Sequence, residues 1–166
     1  MYCFKSHKTT NTKMNYYDNI AKSYNELHEE EQKKKLDIIS KELKPKGTIL
    51  DIGAGTGISA KYFKNIALLD QSIEMLKQSK GLRIVGKAES LPFKDKTFNN
   101  IISITSLHHT NIKRAIKEIK RISKKNCKYS FSILKRAQKY SLIKQELQNS
   151  FNLREIDEEK DIILIS

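Results

Sequence analysis

The sequence predicts an α/β domain, a mostly parallel sheet with helices packed on both faces. Short apolar runs at 48–52, 66–69, 82–85, 100–106 and 129–134 alternate with stretches whose apolar residues recur at helical spacing. The first run stops at a glycine cluster, the mark of a strand turning sharply into a helix. At 166 residues the chain can bury one sizeable core but not two.

Composition narrows the class. With 38% apolar and 31% charged residues, and no apolar run near the roughly 20 residues of a membrane span, the chain reads as soluble. Residues 1–15 carry Lys5, Lys8 and Lys13 and lack the apolar stretch of about 7–15 residues that a secretion signal needs. They are expected to form a flexible basic arm, ahead of a single cytoplasmic domain over 16–166. Cys3 and Cys127 are far apart and have no CxxC neighbour, so two reduced thiols are expected rather than a zinc site or disulfide. No metal ligands are assigned. Of the formal charge of +13, most comes from residues 111–140, which hold 11 Lys/Arg against one Asp/Glu. Such clustering favours anionic partners, phosphate backbones above all.

Between Asn15 and Leu43, Ile20, Tyr24 and Leu27 and then Leu36, Ile39 and Leu43 predict two helices, the second ended by Pro45. Thr48–Ile52 is the first strand, Ile58–Lys64 a short helix, and Ile66–Leu69 a second strand closed by Asp70. Ser72 caps a helix running through Ser79, with Glu74 in its first turn. Leu82–Val85 and Asn100–Ser106 are the third and fourth strands, and Leu91, Phe93 and Phe98 pin the turn-rich segment between them to the core. Asn111 caps a helix whose Ile112, Ala115, Ile116, Ile119 and Ile122 form one stripe, while its other face is Lys and Arg. Tyr129–Leu134 is a fifth strand, Tyr140–Phe151 a helix, and Leu153–Asp157 with Asp161–Ile165 a closing antiparallel hairpin.

The loop Asp51-Ile52-Gly53-Ala54-Gly55-Thr56-Gly57 brings backbone close to a ligand. Ile58 stands where a dinucleotide fingerprint needs its third glycine, and no Gly-Lys-Ser/Thr follows. Asp51 would repel a pyrophosphate and welcome an amino group. Asp70, 19 residues on, can accept from both hydroxyls of a ribose.

Four motifs in order, Leu50–Gly57, Leu69–Ser72 with Met75-Leu76, Gly86–Phe93 with Phe98, and Leu107-His108-His109, resemble the class I S-adenosylmethionine-dependent methyltransferases. Within them, the resemblance is to the methyltransferase type 11 group, which includes quinone-biosynthesis and wobble-uridine tRNA enzymes. Tyr16-Tyr17-Asp18, Ile20-Ala21 and Tyr24 resemble that group's entry helix, so the likeness covers about residues 16–166. It implies a Rossmann-like seven-stranded, mostly parallel sheet with an antiparallel last strand, and S-adenosyl-L-methionine as cofactor. Asp51, Gly53, Ala54, Gly55 and Gly57 would hold the donor's amino acid end, Asp70 its ribose, Gln71 and Ala88 the adenine region, and Ser106 the methionine side. Lys87 replaces the acidic residue usual before Ala88, so contact with the adenine amino group passes to Glu89 or to backbone.

Methyl transfer from a sulfonium needs mainly positioning and exclusion of water. No catalytic cysteine stands at a suitable place, and no Asn/Asp-Pro-Pro-Tyr/Phe follows the fourth strand. His108 and His109 are candidates for a base, against the reading that they only shape the pocket rim. The basic residues 113–139 point to RNA, against the reading of a solvated helix face in a lysine-rich chain. Three functions stay open: a tRNA or rRNA methyltransferase, a small-molecule or quinone methyltransferase, and a non-catalytic RNA-binding or partner module. The short chain suggests a small zinc-binding activator subunit, or a homodimer.

Overall fold

The computed structural model describes residues 24–166, with side chains described from His28 onward. The basic arm and the Tyr16–Ala21 motif lie outside the described residues.

The start of the expected first helix lies outside the described residues. Helix α1 runs unbroken over Tyr24–Leu43, so Tyr24 and Leu27, expected in the first of two helices, share one helix with Leu36. The reason lies in His28–Lys35: Glu, Gln and Lys are good helix formers, and Glu29–Lys33 (2.9 Å) and Glu31–Lys35 (2.9 Å) pair one turn apart. Leu36, Ile39 and Leu43 are completely buried on one face of the sheet, against Ile49, Ile102, Ile104, Ile163 and Ile165.

The strands are β1 (Ile49–Ile52), β2 (Ile66–Asp70), β3 (Leu82–Val85), β4 (Phe98–Ile104), β5 (Ser123–Leu134), β6 (Arg154–Glu158) and β7 (Asp161–Ile165). They form one seven-stranded sheet in the order β3-β2-β1-β4-β5-β7-β6. β1 to β5 are mutually parallel, and β7 runs antiparallel between β5 and β6. The fold class read from the sequence is therefore observed, including the antiparallel last strand. One expected strand differs in character: β3 is the sheet edge, with Leu82 64% and Val85 54% exposed.

Two expected helices shrink. Ile58–Lys61 is a single 3-10 turn entered from Gly57 at φ 72°, and α2 spans only Ile73–Leu76. Its cap is as predicted, Ser72 Oγ accepting from Met75 N at 3.1 Å. Helix α3 (Ile112–Ile122) carries the predicted stripe, with all five apolar residues buried and Asn111 Oδ1 accepting from Arg114 N. Burial of each of the four isoleucines contributes about 1.5–3 kcal/mol before ordering entropy is subtracted. α3 and α4 (Tyr140–Ser150) cover the face opposite α1, over Leu50, Ile101, Phe131 and Leu164. In the β3–β4 connection Leu91 and Phe98 are buried, and Phe93 meets Phe98 edge-on at 4.9 Å, as predicted. β5 starts six residues earlier than predicted, directly from α3, and bulges opposite β4 between Ser123 and Lys128. No helix among the described residues is long and apolar enough to cross a membrane.

Candidate functional site

At the carboxyl ends of β1 and β4 lies a cleft lined by His28, Glu29, Gln32, Asp51, Gly53, Ala54, Gly55, Thr56, Ile58 and Ile104. Parallel sheets open their ligand crevices at this edge. Asp51 is buried at the end of β1, and its Oδ2 accepts from Ser59 Oγ at 2.5 Å. Its Oδ1 is equally buried and, among the described residues, has no hydrogen-bond donor. Loss of solvation is the main force that pushes the Asp51 carboxyl up to about 7, opposed by Ser59 and helped by the charge of Asp70.

The loop after Asp51 turns through three left-handed glycines, with φ 74° at Gly53, 55° at Gly55 and 72° at Gly57. Gly53 N and Ala54 N both donate to Leu69 O, at 2.8 and 3.0 Å, locking the loop onto β2. Asp70 finishes that lock: its Oδ2 accepts from Gly55 N at 2.8 Å and its Oδ1 from Ser72 N at 2.9 Å. A Cβ on Gly53 would stand 2.3 Å from Ser106 Oγ, so Gly53 and Ser106 face each other directly. Ser106 Oγ itself donates to Ile52 O at 2.8 Å.

Asp51, Gly53, Ala54 and Gly55 thus come together in the cleft, and Asp70 and Ser106 support its walls. Gly57 does not line it; a Cβ there would strike Ser79 and Leu68, and this glycine serves packing beneath the loop. Gln71 is exposed just past β2, and Ala88 is buried in the core. Glu89, the candidate for the adenine amino group, accepts instead from Asn111 N at 2.7 Å and so helps start α3. His108 and His109 sit in the turn Leu107–His109 after β4, with ring centroids 3.8 Å apart, outside the cleft lining.

Sequence reasoning missed the contribution of α1. His28, Glu29 and Gln32 face the cleft, and one turn below them Lys35 is completely buried. Its Nζ reaches Glu31 (2.9 Å), Thr105 Oγ1 (3.0 Å) and Asp161 (3.0 Å). Thr105, at φ 54°, also donates from Oγ1 to Asp161 at 2.8 Å, and its N donates to Ser132 Oγ at 2.9 Å. The signal was helical phase: Lys35 falls four residues before Ile39 and eight before Leu43, on the inward face.

The basic stretch 113–139 is partly consumed by structure. Arg121 donates to the carbonyls of Leu91 and Phe93 and pairs with Asp95 and Glu118. Lys113 pairs with Glu146, Lys135 with Asp157, and Lys120 stands over the Phe151 ring.

The donor set fits S-adenosylmethionine. Its cationic amino acid end needs an anion with an oxygen to spare, and Asp51 Oδ1 is a buried acceptor without a partner. Residues 50–131 match the family described as Methyltransferase domain. The uncharacterized protein MJ1252 of Methanocaldococcus jannaschii is 36% identical over 159 residues, covering 90% of this chain and 63% of that protein, so the chain spans about three fifths of this relative's length. An S-adenosylmethionine-dependent methyltransferase of Thermotoga maritima superposes with a TM-score of 0.67 at 25% identity, over 80% of this chain and 69% of that one. A Haloferax volcanii methyltransferase solved in complex with the Trm112 methyltransferase activator superposes with a TM-score of 0.68 at 16% identity, over 85% and 77% of the two chains. Motif order, sheet order and these matches together make the chain a member of the class I S-adenosylmethionine-dependent methyltransferase family.

Proposed function

We propose that the chain transfers a methyl group from S-adenosylmethionine to a nucleophile of tRNA or rRNA, with residues 16–166 as the catalytic unit. The observation that carries donor binding is the fully buried Asp51, whose Oδ1 lacks a partner in the cleft. Bound, the donor supplies a methyl on an activated sulfonium, displaced in line without a required base. Asp51 Oδ1 accepts from the donor's ammonium, and Asp70 accepts from its ribose hydroxyls. Ser106, opposite Gly53, lines the methionine side and helps exclude water. His108 and His109 stand after β4 on the acceptor side, where either can take a proton from an acidic acceptor group.

RNA as acceptor is supported by the exposed Arg114, Lys117, Arg136 and Lys139, at the start of α3 and after β5. Both places lie at the carboxyl edge, the edge that carries the cleft. A small activator subunit is supported by the Haloferax volcanii complex, in which a chain of the same fold was solved with one.

The test is calorimetry with S-adenosylhomocysteine, followed by transfer of labelled methyl to total RNA and to a small-molecule extract. Heat of binding together with label in RNA alone is the expected result. Absence of heat sinks the donor assignment, and label confined to small molecules sinks the RNA assignment while leaving the donor site standing.

A further inference from the structure

Because β1 to β5 are parallel, the segments that enter them all arrive at one edge of the sheet, opposite the cleft. Each of these segments carries lysine: Lys44 and Lys46 before β1, Lys64 before β2, Lys80 before β3, Lys94 and Lys96 before β4, and Lys125 in the bulge that opens β5. All seven are exposed, and none has a side-chain partner among the described residues. Lys124 and Lys128 add charge there while donating only to neutral oxygens, Asn99 Oδ1 at 3.1 Å and Leu43 O at 3.0 Å. The one acid within these entering segments, Asp95, is held by Arg121.

The loops form one surface. Asn99 Oδ1 also accepts from Thr48 N at 3.1 Å, Lys96 N donates to Arg121 O at 3.0 Å, and Ile49 N donates to Asn65 O at 3.0 Å. Five strands at about 4.8 Å spacing make this edge about 19 Å wide. The carboxyl termini of α1 and α3 point here, which favours cations, but each helix end supplies only about half a negative charge. Two such ends offset about one of the seven unpaired lysines, so most of the charge has no internal counterpart. The opposite edge is mixed: Asp51, Glu158 and Asp161 are buried there, and Arg114, Lys117, Arg136 and Lys139 stand exposed at the same edge as Asp70 and Glu89. A polyanion is therefore drawn to the amino-terminal edge by charge that nothing among the described residues offsets in full.

We propose that the amino-terminal edge of the sheet, through Lys46, Lys64, Lys96 and Lys125, binds the phosphodiester backbone of a folded RNA. The observations favour RNA over a protein partner, because an interface core with protein is poor in charge and rich in aromatic residues. Of the large exposed apolar side chains among the described residues, Ile73, Leu82, Val85 and Leu142, only Leu82 stands at this end. A membrane surface would likewise ask for apolar side chains to insert beside the lysines. The inference rests on the chain binding RNA, as proposed above, but not on RNA being the methyl acceptor; it assigns the anchoring contacts to the end remote from the donor.

The test uses the full chain, a fluorescein-labelled 20-base-pair RNA duplex, and anisotropy between 50 and 200 mM salt. K46E/K64E/K96E/K125E should weaken binding by about 30-fold or more and flatten the salt slope by roughly one per lysine lost. The same variant should keep its circular dichroism and its affinity for S-adenosylhomocysteine. A second variant at the cleft rim, R114E/K117E/R136E/K139E, should weaken binding by a smaller factor than the edge variant does, because the anchoring contacts lie at the edge. The inference is overturned if the rim variant carries the loss, if the edge variant binds as the parent does, or if the parent fails to bind the duplex. It is equally overturned if polyglutamate or phosphatidylserine vesicles bind more tightly than RNA. S-adenosylhomocysteine binding reads the donor site separately in every arm, so the failure of one proposal is distinct from the failure of the other.

Discussion

Lys35 and Asp161 meet at 3.0 Å with both side chains wholly buried, joining the helix that lines the cleft to the strand inserted beside β5. Thr105, held in a left-handed conformation at the carboxyl end of β4, bonds to both. Removing one partner of a buried pair leaves an uncompensated charge, so Lys35→Met should cost about 3–5 kcal/mol. Lys35→Met/Asp161→Leu should recover most of that loss. Urea unfolding of the three proteins checks both statements; equal loss in the single and the double variant would show that the pair is not what matters.

Asp51 sets a pH dependence. Its folded-state pKa of about 7 lies above the ordinary 3.8, so the native chain binds more protons than the unfolded chain in between. Stability of the ligand-free protein should therefore fall as pH rises from about 4 to 7, and level off above. Affinity for S-adenosylhomocysteine should move the other way, weakening below pH 7 as the carboxylate that meets its ammonium is protonated. Asp51→Asn should raise the Tm of the ligand-free protein at pH 8 and weaken the ligand by about 30-fold or more. Calorimetry and thermal melts from pH 5 to 8 read both.

Gly53→Ala places a methyl 2.3 Å from Ser106 Oγ on a backbone at φ 74°. The clash and the left-handed strain together should cost about 2 kcal/mol or more and loosen donor binding. Gly53→Ala/Ser106→Gly removes the clash but not the strain, so it should regain only part of the stability. Recovery to the parental Tm would mean that backbone conformation at this glycine is unimportant.

Arg121 should behave as a structural residue despite lying in the basic stretch. It holds the carbonyls of Leu91 and Phe93 with a planar fork that lysine cannot reproduce. Arg121→Lys should lower the Tm by several degrees while leaving the salt dependence of RNA binding as in the parent. An unchanged melt with altered salt dependence would reverse that assignment.

Where one chain segment carried its own signal, the sequence was enough. The α3 stripe from Ile112 to Ile122, its Asn111 cap and the Ser72 cap are local patterns, and each appears as read. The glycine loop and Asp51 were legible for the same reason, since strand, acid and turn are contiguous. What escaped depended on distant neighbours. Nothing in Leu82–Val85 says that β3 has no strand on its outer side, and Lys33-Lys34-Lys35 reads as solvated until helical phase turns the third lysine inward. The bond from Asn111 N to Glu89 joins residues 22 apart, so nothing in the sequence alone pointed to it. The even spread of lysine over the strand entries was equally invisible, because only the parallel register gathers those positions at one edge.

The place of β7 bears on how the molecule is made. Its five residues, all buried, leave the ribosome after both β5 and β6, yet they fill the gap between those two strands. Until Asp161 arrives, Lys35 has only the partly exposed Glu31 of its own helix as a counter-charge, and β5 has a bare flank. Completion of the sheet and the buried pairing of that lysine are thus one event, joining segments more than a hundred residues apart, and a nascent chain cannot reach its final form piecemeal. High contact order of this kind makes for slow maturation, with the unfinished sheet exposed to stray pairing in the meantime.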